Sequence, residues 1–405
     1  MLERFLRYVR IDTQAQEGSP TYPSTAKQLD LSRLLADELR EIGLEDVSLT
    51  EHGYVFATLP GTPGAPVIGL IAHVDTTPES PGTGVSPIVH QDYAGGPIVL
   101  PGDPSQVVDP EELTELAQRI GHDIVTSDGT TLLGADDKAG VAEIMTAVAY
   151  LQGASSSEPR ATVRVGFTVD EEVGHGTDHF DVEAFGAEAA YTLDGSGLGE
   201  LEIETFSARQ LKIRIGGRGE HPGTAKGKLV NAVRLAADLV ASLPRDELSP
   251  ETTEDREGFV HPTRVVGSVA EAVVTIIVRD HDNELLDRHT DVVLRLVAEL
   301  ERREPRARVT IATWDQYRNM REAIEQHPRI IGNAEEAMRR VGIEPVRSLI
   351  RGGTDGARLT EKGLPTPNLF TGGQNYHSRL EWASVQDMAA AAATVVELVR
   401  VWAVS

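Results

Sequence analysis

The sequence predicts an α/β protein in which a smaller α+β domain is inserted into a larger domain. Its 405 residues exceed what a single hydrophobic core usually supports. Within residues 1–206, apolar strand-like segments alternate with helical segments, which indicates a layered domain with a mixed, mostly parallel sheet. Within residues 207–322, strand-like segments alternate polar and apolar residues, which indicates a half-exposed antiparallel sheet. Residues 323–405 return to the first pattern and complete the larger domain.

The first part of the larger domain contains one segment that is nearly all apolar, Val67-Ile-Gly-Leu-Ile-Ala72, as expected for a strand buried on both faces. Residues 77–130 are rich in Gly, Pro and Asp, which predicts long loops with a short helix near 110–120. The remaining pattern predicts helices at 3–10, 24–42 and Ala139–Leu151, and strands at Tyr54–Leu59, Pro66–His73, Ala161–Val169 and Ala189–Leu193.

The inserted part and the final part are interpreted from the same periodicities. For the inserted part, we predict strands at Arg209–Gly216, Glu271–Asp280 and Arg308–Ala312, with helices at 230–242 and 283–302. For the final part, we predict a helix from 327 to Val341, a strand near 346–350, a Gly-rich turn and a long last helix.

The composition narrows the classes of function. A net charge of -25, from 63 acidic and 38 basic residues, argues against nucleic-acid binding and against docking on anionic membranes. Because the chain has no cysteine, a metal would have to be held by His and carboxylate side chains. The N-terminus interleaves charged and apolar residues, unlike a signal peptide, and the apolar run from Met388 to Val404 is too short to span a bilayer. We therefore expect a cytoplasmic enzyme.

His73 and Asp75 stand at the end of the most apolar predicted strand. Ligands bind beyond the carboxyl ends of strands in open α/β sheets. A neutral imidazole is a common metal ligand, and a carboxylate two residues further on can accept its second N–H. A His-x-Asp sequence is also a frequent accident, so this pair by itself leaves the question open.

Two acidic segments follow. Asp136 lies in Gly134-Ala-Asp-Asp-Lys-Ala-Gly140, where adjacent carboxylates suit a cation but can equally cap a helix. Asp170-Glu-Glu-Val-Gly174 places three acids after a predicted strand, an expensive arrangement unless cations or protons compensate, although a solvated acidic turn is the alternative. In that segment, one of Glu171 and Glu172 could bind metal while the other transfers protons.

Asp194 follows the next apolar strand, and His377 lies in a Gly-rich loop near the C-terminus. Each is weak evidence taken singly, because Asp-Gly is a common turn and a loop histidine is usually solvated. The joint pattern is more informative: a His, three carboxylate positions and a second His occur mostly where strands give way to loops. Such a set suffices for two metal ions if one carboxylate bridges them.

These residues lie in segments that resemble the M20 metallopeptidases, and among them the tripeptide aminopeptidases. The resemblance covers essentially the whole chain. It is carried by His73-Val-Asp-Thr76, Leu132-Leu-Gly-Ala-Asp-Asp-Lys-Ala-Gly140, Asp170-Glu-Glu-Val-Gly174, Glu220-His-Pro-Gly-Thr-Ala-Lys-Gly227, Ile350-Arg-Gly-Gly-Thr-Asp-Gly356, Pro367-Asn-Leu-Phe-Thr-Gly-Gly373 and Asn375-Tyr-His377. It implies a zinc-peptidase-like catalytic domain with an inserted domain of the lid or dimerisation type.

The resemblance also implies a role for each residue of the site. One metal ion, with zinc as the expected element, would be held by His73 and Asp194. The other would be held by Glu172 and His377. Asp136 would bridge the two, and a cis peptide bond would follow it. Glu171 would be the general base that activates a water held between the metals, and Asp75 would orient His73.

The implied substrate is a tripeptide, whose N-terminal residue would be released. His221 would donate to the oxyanion, and Arg279 and Arg351 would bind a peptide carboxylate, although a structural ion pair is nearly as good an explanation of each arginine. A related dipeptidase, carboxypeptidase or N-acyl amino acid amidase remains an alternative, as does an inactive binding protein on the same fold. His and carboxylate ligands also admit cobalt or manganese. The sequence leaves a homodimer open.

Overall fold

The computed structural model describes residues 1–154 and 158–405. The chain divides into two compact units. The first comprises Met1–Ile203, Met320–Leu349 and Thr354–Ser405, and the second comprises Glu204–Asn319 with Ile350–Gly353. The short segment Ile350–Gly353 thus groups with the second unit, although its sequence neighbours on both sides belong to the first.

The secondary structure is mixed throughout the described ranges. The helices are α1 Leu2–Tyr8, α2 Gln28–Ile42, α3 Thr114–Ala117, α4 Ala135–Gly153, α5 Val182–Phe185, α6 Ala232–Ser242, α7 Asn283–Arg303, α8 Arg321–Glu325, α9 Pro328–Arg340, α10 Asp355–Glu361 and α11 Val385–Trp402. The strands are β1 Glu45–Leu49, β2 Val55–Leu59, β3 Val67–His73, β4 Ile88–His90, β5 Ile98–Val99, β6 Val107–Val108, β7 Ile124–Thr126, β8 Thr162–Thr168, β9 Ala189–Gly195, β10 Glu200–Thr205, β11 Ser207–Gly216, β12 Phe259–Gly267, β13 Glu271–Asp280, β14 Arg308–Tyr317, β15 Val346–Ile350, β16 Asn368–Phe370, β17 Gly373–Gln374 and β18 Trp382–Ser384. No helix in the part of the chain that the structure describes is long and apolar enough to cross a membrane.

The main sheet of the first unit has the strand order β1-β2-β8-β3-β9-β16-β10-β15. Its central strands β8, β3, β9 and β16 run parallel, whereas β2 and β10 are antiparallel to their inner neighbours. The prediction of a mixed, mostly parallel sheet is therefore confirmed. Strand β3 is buried almost from end to end because sheet neighbours flank it on both sides and helices cover it. The parallel strands bring their carboxyl ends to one edge of the sheet, where ligands bind in such folds.

A smaller sheet in the same unit has the order β17-β18-β7-β4. Strands β17 and β18 form an antiparallel hairpin in which Gly373 pairs with Ala383 and Gln374 with Trp382. The buried Trp382 packs in a local apolar cluster with residues from the long loop region, including Leu100 and Leu116. This packing fixes the hairpin whose connecting loop, residues 375–381, carries His377.

The second unit is built on an antiparallel sheet of order β12-β13-β11-β14. Alternate residues of β13 are buried, and α6 and α7 bury their apolar residues in the same core. The predicted half-exposed sheet is what an alternating polar and apolar sequence produces when helices cover only one face.

The structure differs from the sequence-based elements at several ends. Helix α2 begins at Gln28 and not at residue 24, because the Ser24 hydroxyl and N–H both donate to the Asp170 carboxylate. Strand β14 continues to Tyr317, five residues beyond the predicted end. Strand β12 was not predicted because Pro262 interrupts its sequence pattern. The strand lies at the edge of the sheet, where proline is tolerated.

Candidate metal centre

Two of the predicted ligands end neighbouring parallel strands. His73 is the last residue of β3, and Asp194 is near the end of β9, which pairs with β3 in parallel. Nε2 of His73 lies 3.6 Å from Oδ1 of Asp194. His73 is only 2% exposed, so the sheet and its surroundings hold the imidazole in one orientation.

Asp136 lies between the two predicted histidine ligands. Its Oδ1 is 3.0 Å from Nε2 of His73, and its Oδ2 is 3.3 Å from Nε2 of His377. The residue stands at the start of α4, where the backbone of Asp136 and Asp137 departs from helical geometry and the peptide bond between them is cis. One carboxylate therefore faces two imidazoles through different oxygens, as a bridging ligand must.

Glu172 and His377 complete a second group around Asp136. Oε2 of Glu172 lies 2.8 Å from Nε2 of His377. The other oxygen, Oε1 of Glu172, is buried without a hydrogen-bond partner among the described residues. His377 has a positive φ of 59° and is the more open of the two histidines, with 39% of its side chain exposed.

Asp75 lies beneath the acidic segment and holds its backbone. Its Oδ1 accepts the N–H of Glu171 at 3.1 Å, and its Oδ2 accepts the N–H of Glu172 at 3.2 Å. Oδ1 also lies 3.5 Å from Nδ1 of His73, whose nearer partner is the Asp75 carbonyl at 3.1 Å. The fully buried Asp75 thus contacts both the first histidine and the backbone that carries Glu171 and Glu172.

The electrostatics of the centre reflect an excess of carboxylates. Burial raises the pKa of Glu171 well above its usual range, and the Asp194 and Asp355 carboxylates raise it further. Burial and the Asp136 carboxylate raise the pKa of Glu172 to about 8, and burial raises that of Asp194 to about 6. Burial lowers the pKa of His377, but hydrogen bonding with Asp136 and Glu172 outweighs it and raises the pKa to about 11. Without a cation, the site therefore favours bound protons.

Sequence reasoning singled out no role for Glu381, although this residue holds the loop that carries Asp136. Its Oε2 accepts the N–H groups of Leu133 at 2.8 Å and Gly134 at 2.7 Å, and its Oε1 accepts the N–H of Asp136 at 3.0 Å. Glu381 is 1% exposed. Its nearness to His377 in sequence was the available signal, but the backbone partners lie about 245 positions away.

Two further buried acids were also missed. Asp137 accepts the N–H of His73 at 3.1 Å, which ties the end of β3 to the start of α4. Asp355, at the start of α10, accepts the hydroxyl of Thr168 at 2.7 Å, and burial raises its pKa to about 7. Asp355 belongs to a segment already noted in the sequence, where an acid after Thr354 predicts only a helix start.

The three predicted substrate-binding residues lie in the second unit. His221 is exposed at the start of a 3-10 turn, and its Nδ1 accepts the N–H of Gly223 at 3.1 Å. Arg279 is half-buried on β13 with its guanidinium over the Tyr317 ring at 5.7 Å, and its Nε has no hydrogen-bond partner among the described residues. Arg351 instead donates to the carbonyls of Thr253, Asp255 and Glu257, which occupies both terminal nitrogens.

The donor set fits two divalent cations. Two groups, His73–Asp136–Asp194 and Asp136–Glu172–His377, each offer three ligand atoms within 4.8 Å of one another. The groups share Asp136, and the ligands are imidazole and carboxylate, which suit zinc, cobalt or manganese. The unpartnered Oε1 of Glu172 is a further buried acceptor that a cation would satisfy. Clustered carboxylates of this kind repel one another unless positive charge compensates.

Comparison with known proteins identifies the family. Residues 128–401 match the model of peptidase family M20/M25/M40. The chain is 47% identical over 404 residues to "Peptidase T" of Geobacillus kaustophilus (strain HTA426), covering 99% of this chain and 98% of the relative. It is 46% identical over 405 residues to "Peptidase T" of Listeria monocytogenes serotype 4a (strain HCC23), with the same coverage.

Solved structures agree on the fold. Aminopeptidase PepT from Bacillus cereus ATCC 10987 superposes with a TM-score of 0.74 at 22% identity, over 99% of this chain and 98% of that one. A tripeptidase from Staphylococcus aureus gives 0.76 at 22% identity, over 100% and 98%. Bacillus subtilis YXEP, described as a dinuclear metal binding peptidase from the M20 family, gives 0.64 at 16% identity, over 98% and 97%. The chain therefore belongs to peptidase family M20/M25/M40 and is a metal-dependent peptidase.

Proposed function

We propose that this protein is an aminopeptidase that releases the N-terminal residue of tripeptides and uses two divalent cations, with zinc as the expected metal. The observation that carries the proposal is the double contact of Asp136, whose two carboxylate oxygens face His73 and His377 separately. The relatives named Peptidase T and the superposed tripeptidase support the substrate class.

The proposed ligands divide between two cations. His73 and Asp194 would hold one, Glu172 and His377 the other, and Asp136 would bridge them, in keeping with the two groups of ligand atoms. When bound, the cations supply Lewis-acid activation of water and of the scissile carbonyl. Asp75 would keep His73 in the tautomer that presents Nε2 for coordination, because the partners of Nδ1 lie on Asp75.

Glu171 is proposed as the general base and then the general acid. It would accept a proton from the attacking water and deliver it to the amine that leaves when the peptide bond breaks. Its backbone is fixed by Asp75, and its carboxylate lies outside both groups of ligand atoms. Burial raises the pKa of this carboxyl, which helps it hold the accepted proton until the amine leaves, and two bound cations would oppose that rise and keep the carboxylate ionised beforehand.

Three residues of the second unit are proposed to serve the substrate. The exposed His221 would donate a hydrogen bond to the developing oxyanion. Arg279 would bind the C-terminal carboxylate, since its half-buried guanidinium has an unpartnered Nε. The same carboxylate-binding role for Arg351 would require its guanidinium to release the carbonyls at 253–257, to which it donates.

The proposal is tested with a substrate panel assayed with and without a chelator. The panel contains a free tripeptide, its N-acetylated and C-amidated forms, the corresponding dipeptide and the tetrapeptide. We expect metal-dependent release of the first residue from the free tripeptide, and little activity on the N-acetylated form. Faster cleavage of the dipeptide or of the N-acetylated substrates would replace this proposal with dipeptidase or amidase activity, and release of the last residue would indicate a carboxypeptidase.

A further inference from the structure

The buried Glu381 carboxylate holds a backbone segment of the candidate metal centre. It accepts three backbone N–H groups, from Leu133, Gly134 and Asp136, at 2.7–3.0 Å. Burying a carboxylate away from water costs free energy unless hydrogen-bond donors of the protein replace the lost water. Here all of them come from the short segment that delivers Asp136, so the position of that segment depends on one side chain.

Glu381 also belongs to the hairpin that delivers His377. Strands β17 and β18 pair on either side of the loop 375–381, and Glu381 directly precedes β18. Inside that loop, the Glu381 N–H donates to the Ser378 carbonyl at 3.3 Å, and the Leu380 N–H donates to the Ser378 hydroxyl at 3.0 Å. The Glu381 side chain therefore joins the His377 loop to the Asp136 loop, two segments that are far apart in sequence.

The other ligands are held by different means. His73 and Asp194 belong to strands of the main sheet that have hydrogen-bonded neighbours on both sides. Glu172 is held through its N–H by Asp75. Of the two groups of ligand atoms, Asp136–Glu172–His377 thus has two members that rely on Glu381, whereas His73–Asp136–Asp194 has only one.

We infer that Glu381 is a positioning residue that joins the bridging aspartate to the second histidine, and that it selectively sets the metal affinity of the Asp136–Glu172–His377 group. The inference rests on the proposed two-metal function. It predicts unequal damage: without the carboxylate, the group that relies on it twice loses more affinity than the group that relies on it once. Residues that support metal ligands typically contribute about 10–100-fold in affinity.

The test is calorimetric titration of chelator-stripped protein with Zn²⁺ alone. The Glu381→Gln variant keeps the shape of the side chain but directs an amide N–H₂ at backbone N–H donors. The Glu381→Asp variant keeps the charge, but its side chain is too short to reach all three backbone N–H groups. We expect both variants to bind one Zn²⁺ about 10–100-fold more weakly than the wild type and the other with a clearly smaller loss of affinity. The His377→Ala variant should show a single Zn²⁺-binding step. The tighter step of the Glu381 variants should correspond to it, which identifies the group of ligand atoms that still binds.

Glu200→Gln is the matched control. Glu200 is also a carboxylate that accepts a backbone N–H, from Gly197 at 2.9 Å, but it lies outside both groups. It should titrate like wild type, and thermal unfolding should show that all variants are folded; if Glu381→Gln does not fold, Glu381→Asp decides the question.

Equal weakening of both steps, or unchanged binding in the Glu381 variants, would overturn the inference and leave the proposed function standing. Recovery of wild-type affinity in Glu381→Asp would overturn it as well, because charge and not positioning would then be the cause. A wild-type protein that takes up no Zn²⁺ would overturn both.

Discussion

Oδ1 of Asp136 lies 3.0 Å from Nε2 of His73, while its second oxygen faces His377. Because this aspartate belongs to both groups of ligand atoms, its removal should affect both metals. We predict that Asp136→Asn binds fewer than one metal ion per chain, measured by elemental analysis after dialysis against zinc. Asp30→Asn, at an exposed ion pair with Arg33, should retain the wild-type content. Two metals in Asp136→Asn would remove it from the ligand set.

Glu171→Gln separates proton transfer from metal binding. The side chain lies outside the two groups of ligand atoms, so the variant should keep its metals. The turnover number should fall by about 10²–10⁴-fold, the usual contribution of general acid–base catalysis. Steady-state kinetics on a tripeptide together with elemental analysis measure both properties in one preparation. Near-normal turnover with full metal content would exclude Glu171 as the base.

Asp75→Asn tests a residue that should contact no metal. The amide can accept only through one oxygen, so one of the two N–H groups at Glu171 and Glu172 would lose its acceptor. The imidazole of His73 would also lose the negative charge near Nδ1. We predict zinc affinity about 10–100-fold weaker, read from competition with a chromophoric chelator. An unchanged affinity would contradict the supporting role of Asp75.

The metal-free protein should become less stable as the pH rises. The pKa of His377 is raised from 6.5 to about 11, so its imidazolium stabilises the fold fully below pH 6.5, and this contribution is lost as the pH approaches about 11. Glu172, whose pKa is raised from 4.5 to about 8, changes stability in the same direction at lower pH. Thermal unfolding in chelator between about pH 7 and about pH 10 measures the effect.

His377→Gln should flatten that pH profile, because the glutamine cannot take up the proton. Zinc affinity of the wild-type protein should rise over the same range, since the cation must displace the proton from His377. A metal-free melting temperature that rises with pH, or an equal slope in His377→Gln, would contradict the assignment of the proton to this histidine.

Arg279→Gln tests the carboxylate site. The guanidinium lies over Tyr317 with an unpartnered Nε, which leaves it a donor for an anion. For a free tripeptide, kcat/KM should fall by about tenfold or more, since a charged hydrogen bond contributes about 1.5–3 kcal/mol. The C-amidated tripeptide should be cleaved equally by variant and wild type, because it lacks the carboxylate. Equal losses on both substrates would indicate that Arg279 supports structure alone.

The fold class was predictable because burial on both faces makes β3 nearly all apolar, while the half-exposed β13 alternates. The ends of the helices and strands were less predictable. The start of α2 depends on Ser24 contacting Asp170, a residue 146 positions away, which no local pattern contains. Strand β12 was missed because Pro262 is a strand breaker except at a sheet edge, and edge position is a tertiary property.

The candidate site was predictable to the extent that its residues follow strands. His73 and Asp194 come together because parallel strands end at one edge of a sheet. The function of Glu381 could not be predicted, because its partners are backbone N–H groups. Every residue except proline has such a group, so no sequence pattern indicates which ones a side chain will contact. The same limit applies to Arg351, whose acceptors are the carbonyls of a loop near residue 255.

The chain order of the first unit has a consequence for folding. In the sequence, Glu172 precedes and His377 follows the segment Glu204–Asn319, yet Oε2 of Glu172 lies 2.8 Å from Nε2 of His377. A cation held by both closes a loop that contains the second unit's main segment, and the entropy of closing so long a loop changes little with its length. A bound cation would therefore cross-link the two portions of the first unit that this segment separates in sequence, at an entropic cost that a longer insertion would raise only slightly.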